Sequence, residues 1–363
     1  MAAAGERLPV YRVGKPLMAM TIVAQALDLL ALESWLRSRG AVVDGPLDAE
    51  LIRGGRSNLT FFLVDATGHR WVLRRPPLGS VLATAHDVAR EFRVMSALAG
   101  TPVPVPRMVG LGTDAAGVAY YVMDEVQGLV LRDGSTTLRS LTPPARAYAG
   151  AGLADTLAAL HAVEPDAVGL GRLGRGGHYL ARQIAMWQRQ AEQHRCAAFL
   201  AADVVRDRLI VALPSQRETT LVHGDYRLDN VLVDDGGSLR AVLDWELCTR
   251  GDPLVDLGVF LYYWTQATDS VVPFPDPPTV LPGFFSRREL LARYTQASGR
   301  AVDRLAFYLA YAAWRLALVF EGIAGRSAAG AYGAADIEEE RRLAEVAGAL
   351  VVHAGTLLDE DAS

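Results

Sequence analysis

The sequence predicts an α+β fold: a small β-rich lobe followed by a larger, mainly helical one. Three observations predict it. Between about residues 51 and 130, short β-branched and aromatic segments alternate with turns. After Pro143-Pro144 the apolar residues recur at three- and four-residue spacing through most of the chain. Between the helical stretches, residues 221–258 read LVHGDYRLDNVLVDDGGSLRAVLDWELCTRGDPLVDLG, in which short apolar segments end in acidic and amide side chains.

In chain order, residues 1–20 read as a loose N-terminal leader. Residues 21–40 suggest a helix closed by Gly40, whose missing Cβ suits a left-handed cap. The small lobe is expected over residues 21–130. Its strands are Leu59–Val64 and Trp71–Arg74, joined by the Asp65-Ala66-Thr67-Gly68 turn, and Tyr120–Met123. Ala85 to Ala99 is helical, with Val88, Phe92 and Met95 on one face and Gly100 as the stop. The larger lobe, expected over 131–363, carries helices at 145–162, 178–213, 287–300, 303–324 and 336–358. The Pro-rich segment from Pro273 to Pro282 reads as a loop, and no internal repeat is visible.

Composition narrows the class. A chain of 363 residues, 51% hydrophobic and 21% charged, can build two cores. Its net charge of -5 offers no basic footprint for nucleic acid. Two cysteines, Cys196 and Cys248, cannot make a disulfide framework or a zinc site, and Cys248 reads as packing. No signal sequence and no run of 18 apolar residues are present, so the expectation is a cytoplasmic protein with no membrane partner. Lys15 is the only lysine; every other basic side chain is arginine.

The stretch 221–258 carries the chemistry. His223, Asp225 and Asn230 occupy a polar turn between Leu221-Val222 and Val231-Leu232-Val233, and the apolar Ala241-Val242-Leu243 delivers Asp244. The spacing from Asp225 to Asn230 equals that of H-R-D-x-x-x-x-N, in which the Asp accepts a hydroxyl proton and the Asn holds metal. Asp244 falls where the second metal ligand belongs. Mg²⁺ takes one or two carboxylates plus phosphate oxygens, which this set supplies. A Gly-Asp-Pro turn with Asp252 and Asp256 follows.

Together, HGDYRLDN, VLDWE and GDPLVDLG resemble the aminoglycoside phosphotransferase-like (choline-kinase-like) small-molecule kinases. The similarity is closest to the branch that includes kinase domains fused to acyl-CoA dehydrogenases, and it runs from about residue 50 to about residue 330. It implies a protein-kinase-like bilobal fold and transfer of the γ-phosphate of ATP or GTP to a hydroxyl of a small molecule, with Mg²⁺. On this resemblance Asp225 is the catalytic residue, and Asn230 and Asp244 hold the metal. His223, Asp252 and Asp256 support the loop, the last two through backbone amides and Arg227 or Arg250.

The nucleotide side follows the same pattern. Gly54-Gly55-Arg56-Ser57-Asn58 reads either as an ordinary β-turn or as a phosphate loop, with Gly55 and Ser57 as its contacts. Strand parity sends Arg74 and Arg75 to opposite faces. Laid on the kinase V-A-I-K pattern, Arg74 takes the place of the phosphate lysine and Arg75 points to solvent. Glu91, beside the apolar face of its helix, is the expected partner of Arg74. The backbone around Glu125 and Val126 is expected to bond the purine. Trp245-Glu246, where protein kinases carry Phe-Gly, and the missing A-P-E triplet disfavour a mobile activation segment and a protein substrate.

For the acceptor, Arg227, Glu246 and Arg315 are candidate contacts. Arg315, in an apolar helix after Trp314, either meets an anionic acceptor or pairs with an acid such as Asp256 or Glu321. A hydroxylated acid or an acyl-thioester is the expected acceptor. An aminoglycoside or macrolide, or a nucleotide-binding pseudokinase without turnover, are the alternatives.

Overall fold

The structure, a computed structural model, describes residues 22–23, 25–52, 58–78, 87–192, 199–328 and 337–362. The expected leader, Lys15, Cys196, and the Gly55 and Ser57 contacts lie outside the described residues. The chain folds as two compact units. Unit 1 comprises residues up to Leu129 together with Arg240–Glu246, and unit 2 comprises Val130–Leu239 and Leu247–Ser363.

Unit 1 is built on an antiparallel five-stranded sheet: β1 (Asp48–Ile52), β2 (Leu59–Val64), β3 (Arg70–Arg75), β4 (Met108–Thr113) and β5 (Ala119–Asp124), in the order β1-β2-β3-β5-β4. Where residues 21–40 suggested one helix, Leu27 and Asp28 interrupt it, and Asp28 caps the amide of Ala31 to start α1 (Leu29–Ser38). Gly40 follows the cap at φ +81°, the left-handed turn its missing Cβ allows. Leu32 and Leu36 of α1 pack on Phe61, Leu63, Trp71 and Leu73, which form one face of β2 and β3.

This packing overturns one expectation. Arg75 does leave the face of Arg74, but it is buried rather than in solvent. It shares its face with Trp71 and Leu73, donates to the carbonyl of Ala26, and pairs with Asp114 at 3.1 Å. A second departure is β4, which the reading missed because Gly110 and Gly112 weaken a strand signal. Both are small for packing: a Cβ on Gly110 would meet Trp35 at 3.1 Å, and one on Gly112 would meet Tyr120 at 2.6 Å. On the other side of the sheet, α2 (Val88–Leu98) is capped by Asp87 and buries Val88, Glu91, Val94, Met95 and Leu98.

Unit 2 is mainly helical. It contains α3 (Gly134–Ser140), α4 (Pro143–Ala162), α5 (Tyr179–Glu192), α6 (Phe199–Val211), α7 (Pro253–Tyr263), α8 (Arg287–Ser298), α9 (Leu305–Ala328) and α10 (Ile337–Ala362). The expected helix at 178–213 is α5 and α6. Short strands β6 (Thr220–Val222) and β9 (Thr249–Gly251) pair antiparallel, and β7 (Val231–Val233) follows the polar turn. β8 (Leu239–Val242) carries the chain out of unit 2, and the Val242 amide bonds the Pro104 carbonyl of unit 1 at 2.8 Å.

The helix α7, read from sequence as only a turn, is buried along nearly its whole length, so no amphipathic period marks it. It packs against α9 at Gly258, where a Cβ would lie 2.8 Å from Tyr308 Cβ and 2.9 Å from its carbonyl oxygen. Gly258→Ala is therefore expected to cost about 1–3 kcal/mol of stability through overpacking. Gly348→Ala in α10 meets nothing within 4 Å and is expected to gain about 0.5–1 kcal/mol. Thermal melts of the two variants should shift in opposite directions. The stretch Leu305–Ser327 is long and apolar enough to cross a membrane by length and composition, yet 72% of its most apolar 18-residue window is buried, and it serves as a core helix of unit 2.

Candidate active site

In unit 1 the sheet presents Arg74 to an acidic cluster. Its Nε lies 3.4 Å from Glu91 Oε2, and its Nη2 lies 2.9 Å from Asp244 Oδ1 and 3.7 Å from Glu246 Oε2. The expected Arg74–Glu91 pair is present. What the reading did not foresee is that the same guanidinium holds Asp244 as well. A planar fork can reach two carboxylates in different directions, which an ammonium does less well.

Glu91 is almost fully buried and accepts from Asn58 Nδ2 and from the Tyr121 hydroxyl, each at 3.1 Å. Burial pushes its carboxyl up to about 7 against the lowering influence of Arg74. For Arg74, burial works downward, but Tyr121 and the three surrounding acids outweigh it and hold the guanidinium above its ordinary value. Asn58 and Tyr121 are partners that sequence reasoning missed. Tyr121 could have been found by strand register, because it lies opposite Arg74 on β5.

Asp244 has φ +64°, a left-handed conformation uncommon for a residue with a side chain. Trp245 behind it is fully buried and donates Nε1 to the Val242 carbonyl at 3.0 Å. The route from Asp244 to Asp252 is a 3₁₀ turn, Trp245–Leu247, then β9, then the N-cap of α7. That leaves no length for a mobile activation segment. At the end of β5, Glu125 pairs with Arg70 at 3.3 Å, and the Arg70 guanidinium lies over the Phe62 ring at 3.6 Å. Val126 is half-buried.

Unit 2 holds the polar turn. Asn230 donates Nδ2 to the Asp225 carbonyl at 2.8 Å and to Asp225 Oδ2 at 3.0 Å, which turns its side-chain carbonyl oxygen, an atom chemically suited to a hard cation, away from those bonds. The Asp225 amide bonds His223 Nδ1 at 3.2 Å, and His223 is fully buried against Tyr226. Gly224, at φ +87°, leaves no room for a side chain: a Cβ would sit 2.8 Å from Leu247 Cβ. Asp256 ties the turn from below, accepting the amides of His223 and Gly224 (the latter at 2.7 Å) and facing His161 Nε2 at 3.4 Å. Burial opposes its ionisation, but the bonds from His161 and Gly224 hold its carboxyl below the ordinary value. His161 in turn contacts the Tyr294 hydroxyl at 2.9 Å.

The expected bracing through Arg227 or Arg250 is corrected. Asp252 caps Leu254 and accepts from the Tyr308 hydroxyl at 3.0 Å, and Arg250 bonds the carbonyls of Leu173 and Gly174. Arg227 instead lies 3.4 Å from Asp225 Oδ2 and 3.0 Å from Asp229, with its guanidinium 5.1 Å from the Tyr263 ring. Arg315 pairs with neither Asp256 nor Glu321; its Nη2 is 3.4 Å from Asp225 Oδ1. Glu246, a candidate acceptor contact, is placed beside Arg74 in unit 1. Among the described residues no group of three or more His, Cys, Asp or Glu gathers as a metal cage.

A paired basic side chain on the third strand, an Asp–Asn turn and an acid delivered by a following strand, on an α+β fold of this order, define a phosphotransferase of the protein-kinase-like class. The comparisons with known proteins agree: residues 48–308 match the phosphotransferase enzyme family (APH), and the chain belongs to that family. Acyl-CoA dehydrogenase family member 10 of Mus musculus is 32% identical over 322 residues, which is 87% of this chain and 30% of that relative's length. A solved candidate aminoglycoside phosphotransferase from Ralstonia eutropha JMP134 is 34% identical with a TM-score of 0.75, covering 91% of this chain and 98% of its own. Aminoglycoside 2'-phosphotransferase-IIIa in its GDP complex shares the fold, with 15% identity and a TM-score of 0.60 over 90% of this chain and 99% of its own.

Proposed function

We propose that the protein transfers the γ-phosphate of ATP or GTP to a hydroxyl on a small hydroxylated acid or acyl-thioester. The hydroxyl oxygen bonds to the γ-phosphorus, the bond to the β–γ bridging oxygen breaks, and the nucleoside diphosphate leaves. The hydroxyl proton passes to Asp225. Mg²⁺, when bound, neutralises phosphate charge; Asp244 and the Asn230 carbonyl oxygen would hold it. Their donor chemistry suits it, since a hard cation that keeps phosphate and water oxygens needs only one or two protein oxygens. Arg74, kept in place by Glu91, contacts the phosphates, and the backbone at Glu125 and Val126 takes the purine, with Gly55 and Ser57 on the phosphate loop. His223 and Asp256 support the turn, and Asp252 caps α7, the helix that carries Asp256. The reaction belongs in the cytoplasm, where nucleoside triphosphate is supplied.

The observation that carries the acceptor class is the pair of arginines on Asp225, Arg315 at one carboxylate oxygen and Arg227 at the other. Arg227, the more exposed of the two and backed by Tyr263 and Phe274, suits the acidic end of an acceptor. Two guanidiniums there oppose a polycationic aminoglycoside, the second reading. The relative named as an acyl-CoA dehydrogenase favours a thioester. The intact Asp225–Asn230 contact disfavours a pseudokinase without turnover.

The test is Mg²⁺-dependent transfer of labelled γ-phosphate from ATP and from GTP to a pooled panel of hydroxy acids, acyl-thioesters, aminoglycosides and macrolides. Label should appear in an acid or thioester. Label in an aminoglycoside alone sinks the acceptor assignment, and nucleotide binding without transfer or hydrolysis sinks the enzymatic one.

A further inference from the structure

Arg315 sits where an arginine is costly. Its neighbours on α9, Ala313, Trp314, Leu316 and Ala317, are fully buried, and Arg315 itself is 6% exposed. A guanidinium removed from water at such a site is destabilising unless an anion compensates it. Among the described residues the carboxylate that pairs with it is Asp225, at 3.4 Å, and not an acid of its own helix. The guanidinium lies over the Trp187 ring of α5 at 4.9 Å. Its buried Nε has no hydrogen-bond partner among the described residues. The group is thus located by helix packing and ring contact, with Asp225 as the charge that answers it.

We propose that Arg315 is a positioning residue for phosphoryl transfer: it fixes the Asp225 carboxylate through Oδ1 while Asn230 and Arg227 hold Oδ2. This rests on the reading that Asp225 receives the acceptor proton. A carboxylate anchored at one oxygen can still rotate about Cβ–Cγ; anchored at both, it presents a fixed lone pair to the hydroxyl. Misplacement of a reacting group by about 1 Å can cost a factor on the order of 10² in rate. Arg315 supplies that second anchor from a core helix.

The experiment uses the full chain with Mg²⁺·ATP, measuring nucleotide affinity by calorimetry, hydrolysis with water as acceptor, and transfer to whichever panel compound reacts. Arg315→Met should lower kcat by roughly 10- to 100-fold with nucleotide affinity unchanged within about twofold, since the groups assigned to the phosphates lie in unit 1. Arg315→Lys should recover part of kcat. In an Asp225→Asn background, Arg315→Met should cost almost nothing further, because the group it positions has lost its function. Should Arg315→Met fail to fold, Trp187→Leu removes the ring bed and keeps the charge, and kcat should fall several-fold. Unchanged kcat in the variant that folds, or losses that multiply in the double variant as an independent structural pair would give, overturns the proposal. A wild type that binds Mg²⁺·ATP without any turnover overturns instead the phosphotransfer reading beneath it.

Discussion

Asp225→Asn is expected to lower phosphoryl transfer by roughly 10²- to 10⁴-fold, the range of a positioned general base, while Mg²⁺·nucleotide affinity stays within about twofold. In barrier terms that is about 3–5 kcal/mol at 1.36 kcal/mol per factor of ten. The loss is large because in the proposed reaction Asp225 both orients the hydroxyl and takes its proton, and phosphoryl transfer depends on positioning and charge more than on base strength. The amide retains the shape and can still accept from Asn230, so the turn should keep its form. It removes the charge that faces Arg315 and Arg227, however, and Arg315 cannot turn to water. The variant should therefore melt at a lower temperature than the wild type despite its conservative geometry. Measuring kcat, nucleotide affinity and Tm on the same preparations checks all three statements. Retention of kcat above a tenth of wild type would move the proton-accepting role away from Asp225.

Arg74→Met has a comparable effect by a different route. Glu91 keeps its bonds from Asn58 and Tyr121 but loses its counter-charge, as does Asp244. Breaking a buried pair by removing one partner costs about 3–5 kcal/mol, and on the proposed function the nucleotide phosphates lose their cation at the same time. Arg74→Lys should restore charge but reach Glu91 or Asp244 rather than both, giving intermediate stability and affinity. Calorimetric nucleotide titration and a urea melt of the two variants decide this.

The same pair predicts opposite pH slopes. Glu91 titrates at about 7 in the folded protein, above its ordinary 4.5, so between those values the native state binds more protons than the unfolded chain. The contribution of this residue to stability is present below about 4.5 and is lost as pH rises through about 7. Activity, which needs the ionised carboxylate on Arg74, should rise through about 7. Both slopes should vanish in Glu91→Gln. Comparison with that variant isolates Glu91 from Asp252, which burial also raises, and from His161, which burial lowers.

Local signals carried the sequence far. The spacing of Asp225 and Asn230 requires no knowledge of distant contacts, because one polar turn places both. Strand parity separated Arg74 from Arg75, helical spacing set Glu91 at the edge of an apolar face, and the resemblance to kinases paired it with Arg74. Where periodicity disappears, the reading failed. The helix α7 is buried all round, and β4 carries glycines because aromatic rings lie against it.

What only the tertiary structure decided are the partners of charges whose sequence separation is large. Nothing local says that Arg75 is covered by Ala26 and Asp114, or that Arg315 answers Asp225 rather than Asp256 or Glu321. Nor does chain order show that Arg240–Glu246 joins unit 1 and sets Asp244 on Arg74. A buried charge must find an opposite charge, and sequence states that need. Which one it finds depends on the packing of helices and sheets that lie far apart along the chain.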